Sequence, residues 1–260
     1  MFLLAALVIG PLWADSGGTA GAPNYSADSI ANSASGAAGF YAPNTFISIY
    51  GQNLSHVTRA IGPNDISGGM LPTALTGTGV RVLINQIPAD IWYVSPGLIN
   101  ALIPNILIAG PAKLQIEVDG LAGPPVSITL GDTAPALFQL DAVTALAVHL
   151  DGSTITSSAP ARAGEMIVLF ATGLGPTLPA QIPNFIAQTA AQIAGRKDFQ
   201  VLLNGVSVDP SRIAYVGVEP GSAGLYQINL LVPNDAPANP EIRISTLERT
   251  SPAGRFLPLQ

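Results

Sequence analysis

Short runs of apolar residues recur along the chain, and Gly, Pro, Asn and Asp separate them. Residues 46–50 are rich in β-branched and aromatic side chains, and residues 51–53 that follow them tolerate a turn. Each half of the chain holds about six or seven such runs, and they do not alternate regularly with long amphipathic helices. The pattern therefore predicts an all-β protein made of sandwiches rather than a parallel α/β sheet.

The same runs occur twice in the same order. Residues 46–50 read Phe-Ile-Ser-Ile-Tyr and residues 166–170 read Met-Ile-Val-Leu-Phe, and in both copies a turn and a leucine follow. At a shift of about 120 to 130 residues the matching blocks are 46–54 with 166–174, 82–85 with 201–204, 93–94 with 215–216, 99–104 with 228–233, and 114–116 with 242–244. A repeat of this length indicates two domains rather than a solenoid.

These features divide the chain into five segments. They are a signal peptide over 1–22, a linker or short N-terminal strand over 23–40, a first sandwich over 41–133, a structured connector over 134–159 and a second sandwich over 160–260. The apolar run 1–13 is too short to span a bilayer and suits an export signal, with a buried first strand as the alternative. Apolar spacing also predicts a short helix over 184–194. We expect a secreted or cell-surface protein, with no membrane span in the mature chain.

Four phrases of the sequence resemble a known family. They read APNTFISIYGQNL over 42–54, YVSP over 93–96, TGLGP over 172–176 and GLYQIN over 224–229. Over residues 23–260 the chain resembles an uncharacterised two-repeat C-terminal domain of secreted bacterial proteins, which is itself similar to the immunoglobulin-like IPT/TIG domains. The resemblance implies two tandem immunoglobulin-like (IPT/TIG-type) β-sandwich domains, export, and a binding or spacer role. It implies no catalytic residue.

Composition narrows the classes of partner and chemistry. Only 10% of residues are charged, the net charge is -6, and no Lys or Arg cluster could neutralise a run of phosphates, so we expect no nucleic-acid partner. The chain has no cysteine, which excludes disulfides and thiolate zinc sites. Neither a His-Glu-x-x-His nor an EF-hand pattern occurs, and we expect no cofactor, although calcium at a domain junction stays open.

Catalytic patterns are also absent from the sequence. His56 and His149 are its two histidines, no Gly-x-Ser-x-Gly elbow occurs, and we expect structural roles for both. The carboxylates that could serve a glycosidase show no pairing pattern; they are Asp90, Glu117, Asp209 and Glu219. We therefore predict that the protein is not an enzyme.

Aromatic residues offer the clearest candidates for ligand binding, because an exposed ring can pack on the apolar face of a sugar. Tyr93 and Tyr215 occupy equivalent repeat positions, which favours a core role for both. Trp92 has Ala214 as its counterpart, so the repeat assigns it no core role and it is the stronger candidate for ligand binding. The candidate ligand-binding residues are Trp92, Tyr226 and His56. Asn100 and Asn229 also recur, which predicts buried amides that fix a neighbouring loop.

Three functions remain open on the sequence. The leading hypothesis is a non-catalytic exported module for adhesion, protein association or spacing, with an extracellular protein as partner. The alternative is a carbohydrate-binding module for neutral polysaccharide, favoured by the low charge. The third is an enzyme whose site forms between the two domains, where pockets are common.

Overall fold

A computed structural model describes residues 21–247 and 249–260, and over these ranges the protein is all-β, as predicted. Helical structure in the described ranges is confined to three-residue 3-10 turns at Ala27–Ser29, Pro63–Asp65, Arg196–Asp198 and Pro210–Arg212. The strands form four sheets, two in each half of the chain. The apolar run 1–13, with both of its predicted interpretations, lies outside the described residues.

The first sandwich consists of a five-stranded sheet and a six-stranded sheet. In spatial order the first sheet holds β1 (Ile30–Asn32), β3 (Phe46–Tyr50), β8 (Leu98–Leu102), β7 (Asp90–Ser95) and β4 (Arg59–Ala60). The second holds β2 (Phe40–Tyr41), β11 (Val126–Leu130), β9 (Gly110–Val118), β5 (Val80–Ile84) and β6 (Ile87–Pro88), and β10 (Leu121–Ala122) pairs with β9.

The second sandwich consists of a seven-stranded sheet and a four-stranded sheet. The third sheet holds β12 (Ala136–Leu137), β14 (Met166–Thr172), β20 (Tyr226–Leu231), β19 (Ile213–Val218), β16 (Ala191–Ile193) and β15 (Thr177–Leu178), and β13 (Ala147–His149) pairs with β14. The fourth holds β18 (Val206–Ser207), β17 (Gln200–Leu203), β21 (Ile242–Thr246) and β22 (Arg249–Thr250).

The two sandwiches share one topology. The order β3-β8-β7 in the first sheet corresponds to β14-β20-β19 in the third, and β6-β5-β9 corresponds to β18-β17-β21. The register even shifts at equivalent places, between Ile91 and Tyr93 and between Ile213 and Tyr215. A β-bulge inserts one extra residue into a strand and changes the direction of its side chain. Trp92 and Ala214 are therefore the extra residues of two equivalent bulges.

Each sandwich has its own apolar core because side chains alternate between the two faces of each strand. Ile47, Ile49 and Ile99 belong to the core of the first sandwich, and Leu169 and Ile228 to that of the second. Residues 23–40, predicted as a linker or a short strand, contain β1, which pairs with β3, and the first residue of β2, which pairs with β11. The connector 134–159 contains β12 and β13, which pair with β14. The boundaries at 41, 134 and 160 stay a prediction.

The two sandwiches contact each other through a third apolar cluster. It joins the outer face of the first sheet, with Phe46 and Leu102, to the outer face of the third, with Phe138 and Phe170. Trp92 is partly buried against the same cluster. Because these side chains come from both units, the interface between the sandwiches is itself a packed core.

The predicted helix over 184–194 is wrong. Asn184 has a φ of 61°, and the backbone around it pairs with the first unit, since Leu71 N donates to Asn184 O at 2.7 Å and Ile186 N donates to Gly69 O at 2.9 Å. Further along, β16 pairs with β19 and buries Ala191 and Ile193 on one face. The apolar positions that fitted a helical period therefore serve an interface and a strand paired on both sides, where tertiary contacts override local propensity.

Candidate functional site

Trp92 lies at the interface between the sandwiches. Its ring contacts Phe46 edge to face, with centroids 5.4 Å apart and planes at 72°, and Phe46 in turn contacts Phe138 at 6.3 Å. The indole Nε1 of Trp92 is buried and finds no acceptor in the described part of the chain. The bulge thus turns Trp92 toward the second unit, where its ring joins the packing that holds the two units together.

Tyr226 is fully buried in the core of the second sandwich. Its hydroxyl donates to the carbonyl of Gly175 at 2.5 Å and accepts a hydrogen bond from Nδ2 of Asn44 at 3.1 Å. Burial raises the pKa of Tyr226 to about 12. As Asn44 belongs to the first unit, Tyr226 joins the two sandwiches and has no exposed ring face to offer a sugar.

His56, the third candidate, is exposed in the loop after β3. Its Nε2 lies 2.9 Å from Oδ2 of Asp119, which is exposed as well. Exposed pairs of this kind contribute little to stability. His56 therefore lies on the solvated surface of the first sandwich, Trp92 at the interface and Tyr226 in the core of the second sandwich, so the structure does not bring the three together.

The repeated asparagines bond within their own sheets rather than to loops. Oδ1 of Asn100 accepts from the hydroxyl of Ser48, its cross-strand partner, at 2.9 Å. Oδ1 of Asn229 accepts from Nε2 of Gln227, two residues earlier on the same strand, at 2.6 Å. Both amides are half-buried, so the expectation that they fix a neighbouring loop is corrected.

A cleft of about 800 Å³ opens on the second sandwich and was not expected from the sequence. Nδ1 of His149 lies 2.5 Å from Oε1 of Glu165, and Oε2 of Glu165 accepts from the backbone N–H of Arg162 at 2.9 Å. The hydrogen bond to Glu165 raises the pKa of His149. Asp151, also in the wall, accepts hydrogen bonds from Ser153. The cleft presents many polar groups, and no aromatic ring other than the imidazole is among its described lining residues.

The candidate glycosidase carboxylates lie in separate surroundings. Asp90 is buried at the interface. Oε2 of Glu117 on β9 lies 3.8 Å from a guanidinium nitrogen of Arg81 on the neighbouring strand β5. Asp209 caps a 3-10 turn by accepting from Ser211 N at 2.8 Å. Among the residues that the structure describes, no group of three or more His, Cys, Asp or Glu side chains lies together in a way that could hold a metal ion.

A second polar feature at the interface also escaped the sequence analysis. Asn44 donates to Oε1 of Gln181 at 3.3 Å, and Nδ2 of Asn105 donates to the carbonyl of Gln181 at 3.3 Å. These residues border a cavity of about 10 Å³ that Asp90 also lines. They come from loops far apart in the sequence, so no local pattern could have identified them.

Comparisons with known proteins give remote structural similarity. No family model matches the sequence, and no curated protein matches it. The surface glycan-binding protein PbSGBP-B from Prevotella bryantii is 13% identical over 90% of this chain and 41% of its own, with a TM-score of 0.28. SGBP-B from Bacteroides ovatus, in complex with a mixed-linkage heptasaccharide, is 10% identical over 85% of this chain and 42% of its own, with a TM-score of 0.34.

The tandem Ig repeats of Dlar are a further structural neighbour. They are 12% identical over 92% of this chain and 95% of their own, with a TM-score of 0.22. This chain spans about two fifths of the length of each of the two surface glycan-binding proteins. Within the described ranges, no helix is long and apolar enough to cross a membrane.

Proposed function

We propose that this protein is a non-catalytic exported module of two IPT/TIG-type sandwiches that serves adhesion, protein association or spacing. Its main physical property is that the two sandwiches form one stiff unit, so that a binding surface on one is held at a fixed distance and angle from the other. The export and cell-surface location are part of the proposal and rest on the apolar run 1–13. A hydrolase activity that a single point substitution abolishes would contradict it.

The observation that carries the proposal is the apolar interface between the sandwiches. Ordinary interfaces between domains are polar enough to permit relative motion, and a large hydrophobic interface is what prevents it. Here Phe46, Leu102, Phe138 and Phe170 are all buried in one cluster. Backbone hydrogen bonds between residues 69–71 and 184–186 add a second attachment. Two attachments of different kinds restrict rotation as well as separation.

Double electron–electron resonance tests this stiffness directly. The chain has no cysteine, so spin labels can be placed without background at Ile108→Cys in the first unit and Val206→Cys in the second, whose native side chains are 83% and 71% exposed. We expect one narrow distance distribution. A broad distribution would mean that the units move independently and would refute the proposal.

A matched pair of labels separates motion between units from local loosening. Labels at Ile108→Cys and Val57→Cys both lie in the first unit, on exposed residues. Adding Phe46→Ala should broaden the distances between units and leave the distances within the first unit unchanged. Broadening of both would show that the substitution unfolds the first sandwich rather than releasing the interface.

Binding of neutral polysaccharide is the second candidate, and the cleft at His149 favours it. A cleft of about 800 Å³ is in the size range of ligand sites. His149, Asp151, Ser153 and Arg162 supply donors and acceptors in its wall. We therefore move the candidate sugar site to this cleft from Trp92, which packs in the interface, and Tyr226, which is buried in the core of the second sandwich.

A glycan array with the full chain tests this second candidate. We expect binding to a neutral polysaccharide that Asp151→Ala weakens at least about tenfold, since alanine removes a charged hydrogen-bonding group. Asp235→Ala, at an exposed position outside the cleft wall, is the matched control and should bind normally. A silent array, or equal binding by the two variants, would exclude the cleft as a glycan site.

A further inference from the structure

Asp90 lies in the wall of a small cavity between the two sandwiches and is 4% exposed. The cavity measures about 10 Å³, enough for roughly one water molecule or one bare ion. Its wall combines Asp90 and the loop after β8 from the first unit with residues 181–185 from the second. Anything held there would contact both units at once.

One carboxylate and four amide side chains form the polar part of this wall. The side chains that end in a carboxylate or an amide are Asn44, Asp90, Asn105, Gln181 and Asn184. Oδ1 of Asp90 and Oδ1 of Asn105 are both buried, and neither accepts a hydrogen bond from a described residue. Two unpartnered acceptors on side chains that line one small cavity call for a donor or a cation, because a buried polar group without a partner is costly.

The charges around the cavity favour a cation over a neutral occupant. Asp90 is the one acidic side chain in the described lining, and that lining contains no lysine, arginine or histidine to balance it. A charge buried without a partner is more costly than a neutral polar group. Carboxylate and amide oxygens are the ligands that hard cations prefer, whereas the nitrogen and sulfur ligands of transition metals are missing from the wall.

We propose that this cavity binds one hard cation, Ca²⁺ or Na⁺, through Asp90 and Asn105 of the first unit and Gln181 of the second. The ion links the two sandwiches at the side of the apolar cluster. Without the ion, burial raises the pKa of Asp90 to about 7 because the charged carboxylate is desolvated. A bound cation would offset that desolvation. With one carboxylate among its ligands, the site should bind Ca²⁺ with a dissociation constant of roughly 0.1–1 mM, as in weak extracellular modules.

Thermal unfolding of the full chain at pH 8, after removal of metal ions, tests the proposal. Separate titrations use CaCl₂, MgCl₂, and NaCl against choline chloride at constant ionic strength. We expect Ca²⁺ or Na⁺ to raise the unfolding temperature saturably, by roughly 3–6 °C at ten times the dissociation constant, and Mg²⁺ to have little effect. Calorimetric titration with the effective ion should give a stoichiometry of one.

Two variants decide whether the effect belongs to this cavity. Asp90→Asn removes the charge with little change in shape and should abolish the cation response, while Asp235→Asn makes the same change at an exposed position and should retain it. The proposal is overturned if no cation raises the unfolding temperature, or if Asp90→Asn responds as the unsubstituted chain does. It is also overturned if acidification alone stabilises the chain and added cation does not, because a proton would then be the occupant. The stiffness of the chain is measured separately by the spin labels, so that failure here leaves the proposed function standing.

Discussion

Replacing Phe46 with alanine tests whether the interface couples the two sandwiches. Phe46 is 4% exposed and lies on the outer face of β3, outside the core of its own sandwich. Truncation of a buried phenylalanine to alanine costs roughly 3–5 kcal/mol, and each edge-to-face ring contact accounts for about 0.5–1.5 kcal/mol of such energies. Because Phe46 lies outside the core of its own sandwich and its ring contacts Phe138 beyond the first unit, the loss should come mainly from the interface.

The assay is urea unfolding followed by the fluorescence of Trp92, in a Trp13→Phe background that leaves one tryptophan. At an urea dependence of roughly 2 kcal/mol per molar, a loss of 3–5 kcal/mol lowers the midpoint by about 1.5–2.5 M. We also expect the single transition to separate into two, since the units would then unfold independently.

Tyr50→Ala is the matched control, because Tyr50 lies on the same face of the same strand and is 37% exposed. It should shift the midpoint by less than about 0.5 M. A double-mutant cycle between Phe46→Ala and Phe138→Ala should give a coupling of roughly 0.5–1.5 kcal/mol. A midpoint shift for Phe46→Ala no larger than that for Tyr50→Ala, or a coupling near zero, would refute the reasoning.

Three further predictions concern the interface and the titratable groups. Gly224 has a φ of 70° and a Cβ there would lie 2.2 Å from Leu102, so Gly224→Ala should lower the thermal unfolding temperature more than Gly221→Ala, where φ is 83° and nothing lies within 4 Å. Burial raises the pKa of Asp90 from 3.8 to about 7. In metal-free buffer the free energy of unfolding should therefore fall by up to roughly 4 kcal/mol as pH rises from about 4 to 7. Urea titrations should show this decrease in the unsubstituted chain and not in Asp90→Asn. The hydrogen bond to Glu165 raises the pKa of His149, so the stability that this pair contributes is present below about pH 6.5 and is lost as pH rises through the raised pKa of the folded state. Thermal unfolding from pH 5 to 9 should show this loss. A His149→Gln variant whose pH profile is no flatter would contradict the prediction.

Much of the fold was predictable because strand formation depends on local alternation and on turn residues. The matched blocks at 46–54 and 166–174 became β3 and β14, at equivalent places in two sheets. The repeat continues further than the sequence blocks indicated, since Leu130 pairs in parallel with Tyr41 and Leu259 pairs in parallel with Ala161. The residues of these terminal pairings share no sequence motif, so the equivalence is visible in the backbone pairing and not in the sequence.

The interface and its cavity could not be predicted, because their residues are brought together by the docking of the two units. Asn44 and Gln181 are 137 positions apart and share a hydrogen bond. Trp92 was a candidate for ligand binding because its repeat counterpart is Ala214. The structure gives a different reason for the tryptophan, since the bulge in the first unit turns this residue into the interface. An unmatched residue in a repeat therefore indicated a contact between the units rather than a ligand site.

The contact between the sandwiches uses corresponding sheets of the duplicated unit but different positions on them. Phe46 of the first unit corresponds in the repeat to Met166, whereas Phe170 of the second unit corresponds to Tyr50. A contact made by different positions on two similar units is heterologous. Tyr50 is 37% exposed, in keeping with this arrangement. Because the positions that pair across the interface are not the positions that repeat, alignment of the two halves finds the sandwiches and misses how they join.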